Sequence, residues 1–543
     1  MNNRINSLKF WAILPVLAMI FACGGGSSSS DGTVDSKRTG VNEVVVHEST
    51  DVDKINPIVS RSANASFVDR NIFQTFLDID PITYEYNPIL CAERPTIEET
   101  MVDVFGEQKD GLLITYIIRD EAVWDNGEPI TGHDAAFSLK IIKNPKVDCA
   151  NLRPYYDFVV DVKVNEENPK EFTLVCEGRY FMAEIWSSLT MYPIYNYDPE
   201  NLMAQFSIAD LSDPAKKEEM VNNTDIVKFA EQFNSEPYAR DPSLVKGSGP
   251  YELQEWTTGQ RIILKKKENW WGAPFVGTTV GFNNYPDKLV YEIVVDMTTA
   301  VTALKDEGLD VMRQIPSKDY VKLKENEDFL KYYNLSTPMQ LSYSYVGLNT
   351  RIPELADKKV RQALSMAVDY ETILSVILYD LAVRTVGPIH PSKNYYNNDI
   401  ALYEYNLEAA ASLLDEAGWT DADADGVREK EIDGEVLTLE LEYMISQGSP
   451  TAESIALMYQ KSLSQIGVGI EIVQKEWTVF LDITKAHDYD MYSGGWVAAP
   501  TLSDMKQIWH TTSYDGGSNY VGFGDEHTDD LIEKIRYELD ETA

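Results

Sequence analysis

The chain has 543 residues, of which 47 are Lys or Arg and 87 are Asp or Glu, so its formal net charge at pH 7 is -40. So acidic a surface repels phosphate backbones, which argues against a nucleic-acid partner and against a protein surface that holds anionic lipid. Aromatic residues make up 11% of the chain. We therefore expect packed cores, with room for about three domain-sized units.

The N-terminus carries the pattern of an export signal. Two cations precede an apolar run over residues 10–21, which is shorter than the about 20 apolar residues that a bilayer span needs. The small residue Ala22 directly before Cys23 resembles the lipobox of bacterial lipoproteins, in which the cysteine is lipidated. We expect residues 1–22 to be a lipoprotein signal peptide, lipid attachment at Cys23, and a flexible Gly/Ser tether over residues 23–40.

Three further cysteines follow, Cys91, Cys149 and Cys176. An odd number outside the cytosol leaves at least one thiol unpaired. Their proximity in sequence favours a disulfide between Cys149 and Cys176. The chain contains no C-x-x-C motif, so the sequence gives no support for a structural zinc site.

Periodicity and turn residues predict the elements of the first half in chain order. An alternating, β-branched strand is expected over residues 41–46 and another over 111–119. Thr131 begins a capping box, so a helix should start there. Acidic short helices are expected between residues 198 and 245, and a β-hairpin should join residues 249–256 to 260–267.

The second half alternates helices with strands. Apolar residues at helical spacing predict one helix from Val360 to Leu378. Asn406 should cap a helix that ends at Gly418, and Thr451 should cap the next one. Strands are expected over residues 437–443, 468–473 and 488–493. This alternation indicates an α/β unit with a partly parallel sheet.

Four collinear segments carry a resemblance to a known family. They cover residues 116–134, which contain Trp-Asp-Asn-Gly-Glu-Pro-Ile-Thr-Gly-His-Asp, residues 247–251 with 268–272, Asn349 with residues 360–369, and residues 408–419. Gly494-Gly495-Trp496 follows as a late Gly-Trp. In this order they are similar to the large solute-binding proteins of peptide-type ABC importers, the dipeptide, oligopeptide and nickel binders.

The resemblance implies an α/β, two-lobed, hinged periplasmic-binding-protein-like fold with an extra domain and with mixed sheets flanked by helices. It assigns residues 41–66, 190–305 and 510–543 to the first lobe, residues 67–189 to the additional domain, and residues 306–509 to the second lobe. Family members usually continue further, so the end at Ala543 predicts a fragment or an incomplete gene product.

The implied function is capture of a peptide or peptide-like ligand in the cleft between the lobes, for delivery to an ABC permease by a lipid-anchored protein outside the cytoplasm. Main-chain hydrogen bonds from strand edges would hold a peptide whatever its side chains. Two alternatives stay open, a non-peptide solute such as a metal chelate or sugar, and a surface glycan-handling enzyme. No catalytic motif was found, so we expect neither an enzyme nor a cofactor.

The resemblance places the ligand site at two segments. Ser62 and Asn64 lie in a loop that resembles a cleft-lining loop of the first lobe. From the second lobe come Gly494, Gly495, Trp496 and Ala498. Trp477 and Trp124 are further aromatic candidates, although tryptophan is more often core packing.

One departure from the family pattern concerns charge. Peptide-binding members carry an aspartate shortly after the late Gly-Trp, which pairs with the amino terminus of the ligand. This chain has Ala499 there, and no carboxylate occurs before Asp504. A buried ammonium without a counter-charge is costly. Either another acid meets the amine, or the ligand is not a free-amine peptide.

A turn with three aspartates is a candidate metal site. Asp421, Asp423 and Asp425 have the spacing of the first half of an EF-hand calcium loop. Ile432 occupies the position where that loop needs a bidentate glutamate, although Glu429 is close by. Calcium binding and a solvated acidic turn both remain open.

Overall fold

The structure is a computed structural model that describes residues 42–81, 85–338, 340–393, 395–498 and 503–538. The expected signal peptide, Cys23 and Ala499 lie outside these residues. Within the described ranges no helix combines the length and apolar character that crossing a bilayer requires.

Sixteen strands occur in the described residues. In chain order they are β1 (Glu43–Glu48), β2 (Leu77–Ile79), β3 (Tyr86–Pro88), β4 (Thr96–Val104), β5 (Glu107–Ile117), β6 (Val159–Val164), β7 (Glu171–Glu177), β8 (Tyr251–Thr257), β9 (Arg261–Lys266), β10 (Lys288–Ile293), β11 (Ser342–Leu348), β12 (Glu429–Ile432), β13 (Glu435–Thr438), β14 (Glu440–Ser446), β15 (Gly469–Lys475) and β16 (Met491–Val497).

The α-helices of the described residues are mostly short. They are α1 (Ala65–Asp69), α2 (Gly132–Lys143), α3 (Ala183–Trp186), α4 (Ile194–Tyr197), α5 (Ile208–Ser212), α6 (Lys217–Asn222), α7 (Thr224–Asn234), α8 (Pro237–Arg240), α9 (Met297–Lys305), α10 (Ser317–Lys324), α11 (Pro353–Ala356), α12 (Lys358–Met366), α13 (Tyr370–Thr372), α14 (Leu407–Glu416), α15 (Pro450–Ser464), α16 (Trp477–Ala486), α17 (Lys506–Trp509) and α18 (Glu526–Tyr537).

The N-terminal lobe is built on two sheets. One has the order β1-β10-β9-β8, with β1 parallel to β10 and the other pairs antiparallel. The other has the order β4-β5-β7-β6 and is antiparallel throughout. A single buried apolar core, with members from Val52 to Tyr291, takes side chains from both sheets. The two sheets therefore form one packed body.

The C-terminal lobe surrounds a mixed sheet with the order β11-β16-β14-β15. Strand β14 runs parallel to β15 and β16, and β11 runs antiparallel to β16. A second apolar core with members from Leu355 to Met491 lies under this sheet. The partly parallel sheet predicted for this half of the chain is confirmed.

The last described segment, residues 503–538, contacts both lobes. The backbone N–H of Thr350, in the C-terminal lobe, donates to the carbonyl of Val521 at 3.0 Å. The guanidinium of Arg536 binds Asp504 at 2.9 Å and also donates to the carbonyl of Pro154, in the N-terminal lobe. The segment is thus tied to both lobes by hydrogen bonds.

Several local predictions are confirmed. Strands β8 and β9 form the expected antiparallel hairpin. Thr131 is the N-cap residue of α2, and its backbone N–H donates to the Asp134 carboxylate at 2.9 Å. Asn406 caps α14 by accepting a hydrogen bond from the N–H of Ala409.

Two helix predictions are wrong. The helix expected from Val360 to Leu378 ends at Met366. Asp369 then caps a new turn by accepting from the N–H of Thr372 at 3.0 Å, because a short carboxylate side chain competes with the helix for backbone donors.

The cap expected at Thr451 lies two residues earlier. Ser449 Oγ accepts from the N–H of Ala452 at 3.2 Å, and Pro450 occupies the first helical position. Proline suits that position because its missing N–H would have no partner inside the helix.

The expected disulfide between Cys149 and Cys176 is also wrong, since Cys91, Cys149 and Cys176 are all free and buried. Cys149 Sγ lies 3.5 Å from the carbonyl oxygen of Ile142, and Cys176 lies inside strand β7. Proximity in sequence therefore did not bring the two sulfur atoms together. Burial raises the pKa of the Cys91 thiol to about 12 and that of Cys149 to about 11.

Candidate ligand-binding site

Strand β16 contains three of the six residues predicted to bind ligand, and its pairing with β11 decides which of its backbone groups are available. The N–H of Ala498 donates to the carbonyl of Leu341 at 2.7 Å, and the N–H of Asn349 donates to the carbonyl of Asp490 at 3.0 Å. Hydrogen-bonded pairs alternate along an antiparallel ladder. The even-numbered residues from 490 to 498 therefore direct their backbone groups towards β11.

The odd-numbered residues Gly495 and Val497 direct their N–H and C=O groups to the opposite edge of β16. On that side lies β14, whose pairing with β16 within the described residues reaches only from Met491 to Tyr492. Gly495 is exposed, and the Val497 residue is 70% exposed. We call this stretch, Gly495 and Val497, the open edge of β16.

The two adjacent glycines have different surroundings. A Cβ atom at Gly494 would lie 2.6 Å from the ring of Tyr492 and 2.7 Å from the ring of Tyr345, closer than side chains pack. A Cβ atom at Gly495 would meet the carbonyl oxygen of Tyr343 at 3.3 Å. Gly494 therefore lets the two tyrosine rings close over the strand, whereas the space beside Gly495 is less crowded.

Aromatic side chains cover this part of the C-terminal lobe. The ring of Trp496 is stacked on that of Tyr520, with centroids 6.0 Å apart, and the hydroxyls of Tyr345 and Tyr492 are hydrogen-bonded at 2.6 Å. Burial raises the pKa of Tyr345 to about 12, so its hydroxyl stays protonated at neutral pH. Trp477 stacks on Phe480.

Trp124 lies elsewhere. It lines a cavity of about 380 Å³ on the N-terminal lobe together with Thr131, Asp134, Ile194 and other residues of segments 124–134 and 194–195. The structure therefore does not bring Trp124 together with Trp477 and Trp496.

The loop that precedes α1 contains Ser62 and Asn64, and its shape is fixed by Asp53. The Asp53 carboxylate accepts hydrogen bonds from Ser60 Oγ at 2.6 Å and from the N–H of Arg61 at 2.7 Å. Ser62 Oγ is buried and has no hydrogen-bond partner among the described residues. Asn64 is the N-cap residue of α1, but its side chain makes no capping hydrogen bond.

This loop reaches the C-terminal lobe through an ion cluster. Asp148 Oδ1 lies 2.9 Å from Arg61 Nη2 and 3.0 Å from the Nζ of Lys485, on α16 of the C-terminal lobe. Burial tends to raise the pKa of Asp148, but Arg61, Lys485 and Lys54 together outweigh burial, so that the pKa is lowered. We call Arg61, Asp148 and Lys485 the interlobe ion cluster.

Asp504, the first carboxylate after the late Gly-Trp, is used by the fold. It is 7% exposed, and its Oδ2 accepts from Arg536 Nε at 2.9 Å and from the hydroxyl of Tyr180 at 2.6 Å. Its Oδ1 accepts from the N–H of Lys506. With these partners, Asp504 does not replace the family's aspartate at the amino terminus of a ligand.

The acidic turn brings together a slightly different set of carboxylates from the predicted one. Oxygen atoms of Asp421, Asp423 and Glu429 lie within 4.8 Å of one another. Asp425 instead accepts a hydrogen bond from the N–H of Val427 at 2.8 Å. These three side chains could hold a divalent cation, and calcium binding stays a prediction.

Val497 and Lys485 were not proposed as site residues from the sequence, and Arg61 was considered only as part of the polar loop over residues 61–66. Val497 is part of the open edge, and this follows only from the register in which β16 pairs with β11. Arg61 and Lys485 meet at Asp148 across 87 and 337 positions of the chain. The residue types gave no signal for these contacts, because lone basic residues are common on surfaces.

Residues 96–519 match the family described as "Bacterial extracellular solute-binding proteins, family 5 Middle". The match spans well over half of the chain. The chain belongs to this family. This family-5 protein is also similar to the oligopeptide-binding protein AppA of Bacillus subtilis (strain 168), with 25% identity over an alignment of 547 residues that covers 99% of this chain and 89% of AppA.

Two solved structures show the same architecture. The oligopeptide binding protein from Thermus thermophilus, complexed with a pentapeptide, has a TM-score of 0.75 at 21% identity, covering 92% of this chain and 86% of that chain. NikZ from Campylobacter jejuni, in complex with Ni(L-His), has a TM-score of 0.70 at 22% identity, covering 92% and 87%. The likeness confirms the α/β, two-lobed periplasmic-binding-protein fold.

Proposed function

We propose that this family-5 protein is the lipid-anchored solute-binding component of an ABC importer, and that it captures peptides or peptide-like ligands in its interlobe cleft for delivery to a permease. The open edge of β16 is the observation that carries the proposal. Gly495 and Val497 present N–H and C=O groups to an uncovered side of the strand. An extended peptide can add there as a further strand.

Binding through main-chain groups explains how such a site would accept many sequences. Every peptide offers the same backbone donors and acceptors, whereas side chains decide only what fits beside them. We propose that Ser62 and Asn64 contact the ligand from the N-terminal lobe. In this proposal Gly494, Gly495, Trp496 and Ala498 form the opposite wall, on the second lobe of residues 306–509. Closure of the lobes would exclude water and strengthen each hydrogen bond.

The anchor belongs to the same proposal. A lipid on Cys23 and a tether over residues 23–40 would hold the binding lobes close to the membrane. Confinement raises the effective concentration of the protein near its permease, so that a weak contact between the two partners is enough.

The names of the relatives support a peptide as the ligand and also indicate the alternative ligand. AppA and the Thermus protein are named for oligopeptides, and the NikZ structure holds a nickel–histidine chelate. A decisive experiment therefore offers both kinds of ligand to the same protein. Native mass spectrometry of protein purified from its own host should show bound peptides.

Thermal unfolding gives the quantitative test. A ligand that binds only the folded state at 100 times its Kd adds about 2.7 kcal/mol to the free energy of unfolding. We expect a mixed peptide library to raise Tm, and a nickel–histidine chelate or a sugar mixture to leave Tm unchanged. A protein that is empty in the mass spectrum and responds only to the chelate or the sugars would contradict the peptide proposal.

A further inference from the structure

Cationic side chains cluster where the loop before α1 meets the C-terminal lobe. Arg61 and Lys485 bind Asp148 from opposite lobes, and Lys54 is close enough to lower the pKa of that carboxyl. The second carboxylate is Asp53, which accepts from the N–H groups of Arg61 and Lys54. Three cations therefore surround the two carboxylates Asp148 and Asp53, in a chain whose net charge is -40.

A third acid, Asp69, lies near these groups. Asp69, which interacts electrostatically with Asp53, is buried, and burial raises the pKa of its carboxyl well above the usual range. Arg61, with 11% of its side chain exposed, is the most buried of the three members of the interlobe ion cluster. An additional anion beside its guanidinium would add a favourable charge interaction and so stabilise the closed lobes.

Hydrogen-bond donors at the same place lack acceptors. The Arg61 side chain is 11% exposed, and only its Nη2 reaches Asp148. Its Nε and Nη1 are buried and have no partner among the residues that the structure describes, and the same holds for Ser62 Oγ next to it. A buried donor without an acceptor destabilises the fold, and more so when it carries charge.

We propose that Arg61 and Ser62 bind a carboxylate of the ligand, so that this end of the cleft selects ligands with an acidic group. The inference rests on the proposed function, because it assigns chemistry to the same cleft. A carboxylate has two oxygens that match two N–H groups of a guanidinium. It would also add a negative charge beside these cations.

Lys485 couples this recognition to closure of the lobes. It comes from the C-terminal lobe, keeps 36% of its side chain exposed, and lies 3.0 Å from Asp148 of the N-terminal lobe, so that separating the lobes would break this contact. A ligand carboxylate on Arg61 adds a second anion within the range of Lys485. Bound acid therefore favours the closed arrangement, and we class Lys485 as a positioning residue.

Two sources of carboxylate fit this chemistry, the C-terminus of a peptide and an acidic side chain. The test uses two pairs of random peptide libraries of equal length. The first pair lacks Asp and Glu and differs only in a free or amidated C-terminus. The second pair is amidated and differs only in containing Glu or Gln. Calorimetric titration of the full chain should show a preference of at least about tenfold for the carboxylate library in one pair.

Variants test whether Arg61 and Lys485 cause the preference for a carboxylate. Arg61→Gln should abolish the preference for the carboxylate library. Arg61→Lys should keep part of this preference, because lysine retains the positive charge but lacks the paired N–H groups of a guanidinium. Arg179→Gln removes an exposed ion pair with Glu99 and should change nothing. Thermal unfolding without ligand checks that each variant folds, and Lys485→Gln repeats the test at a half-exposed position, with a reduced preference expected.

The outcomes separate the two proposals. Equal affinity within both pairs, or a preference that Arg61→Gln retains, would overturn the assignment of Arg61 while leaving peptide binding in place. Failure of all four libraries to bind would overturn both the proposed function and this inference. A preference in the first pair identifies the peptide C-terminus, and one in the second pair identifies an acidic side chain.

Discussion

Asp504 and Arg536 form a buried ion pair, with exposed side-chain fractions of 0% and 1%. The pair ties the segment after β16 to the helix α18, and Tyr180 of the N-terminal lobe donates to the same carboxylate. Removing one partner of a buried pair leaves an uncompensated charge, which costs about 3–5 kcal/mol. The residue that could have replaced the family's ligand-binding aspartate therefore contributes to stability instead.

We expect Asp504→Asn to lower the free energy of unfolding by about 3 kcal/mol or more, because Arg536 keeps its charge in a buried site. Urea unfolding followed by circular dichroism measures this quantity. The matched control is Asp530→Asn, whose partner Lys534 is 73% exposed. An exposed pair contributes about 0–1 kcal/mol. Similar losses in the two variants would contradict the burial argument.

At the scale of single elements, β16 combines two functions in one strand. Its even-numbered residues hold the sheet together by pairing with β11, and Gly495 and Val497 direct their backbone groups to the open edge. A substitution that removes a single N–H can therefore separate the stability of the sheet from the binding of a peptide.

Val497→Pro should weaken peptide binding about tenfold, because proline lacks the N–H that this position directs to the open edge. The ladder with β11 keeps its hydrogen bonds, so we expect Tm without ligand to change by only a few degrees. Val497→Ala is the control, since it shortens the side chain but keeps the N–H, and it should bind as the wild type does. Calorimetric titration with one peptide gives both affinities. Equal weakening in the two variants would mean that the side chain, not the backbone, makes the contact.

The sequence predicted elements well where a local signal was sufficient. The capping box at Thr131 and the hairpin of β8 and β9 depend on neighbours in the chain, and both are confirmed. The helix after Val360 was predicted too long. The spacing of apolar residues contains no information about Asp369, whose carboxylate competes for backbone N–H donors. Chain order and family resemblance together gave the two-lobed fold.

The candidate site was harder to predict from the sequence than the secondary-structure elements were. Gly495 could be named because it belongs to the late Gly-Trp of the family, but the availability of its backbone depends on the register with β11. The role of Arg61 depends on Asp148 and Lys485, which belong to other parts of the fold. Such contacts are set by tertiary packing, and no spacing rule along the chain predicts them.

At the scale of the whole molecule, the position of the protein in the cell depends on one residue outside the described ranges. We expect Cys23→Ser to move the protein from the membrane fraction to the soluble fraction of its host, because a serine cannot carry the thioether-linked lipid. Cys91→Ser is the control, since this thiol is buried in the N-terminal lobe and should not affect fractionation. Immunoblotting of the two fractions measures the outcome, and an unchanged membrane fraction for Cys23→Ser would refute the anchor.

The three buried thiols have a consequence for how this protein withstands oxidants. A thiol reacts with disulfides and peroxides as its thiolate, and burial raises the pKa values of Cys91 and Cys149 to about 12 and about 11. The thiolate fraction at neutral pH is consequently very small, and all three sulfur atoms lie inside packed cores. In the folded protein these three cysteines are therefore protected from oxidants, and they become reactive only in molecules that have unfolded.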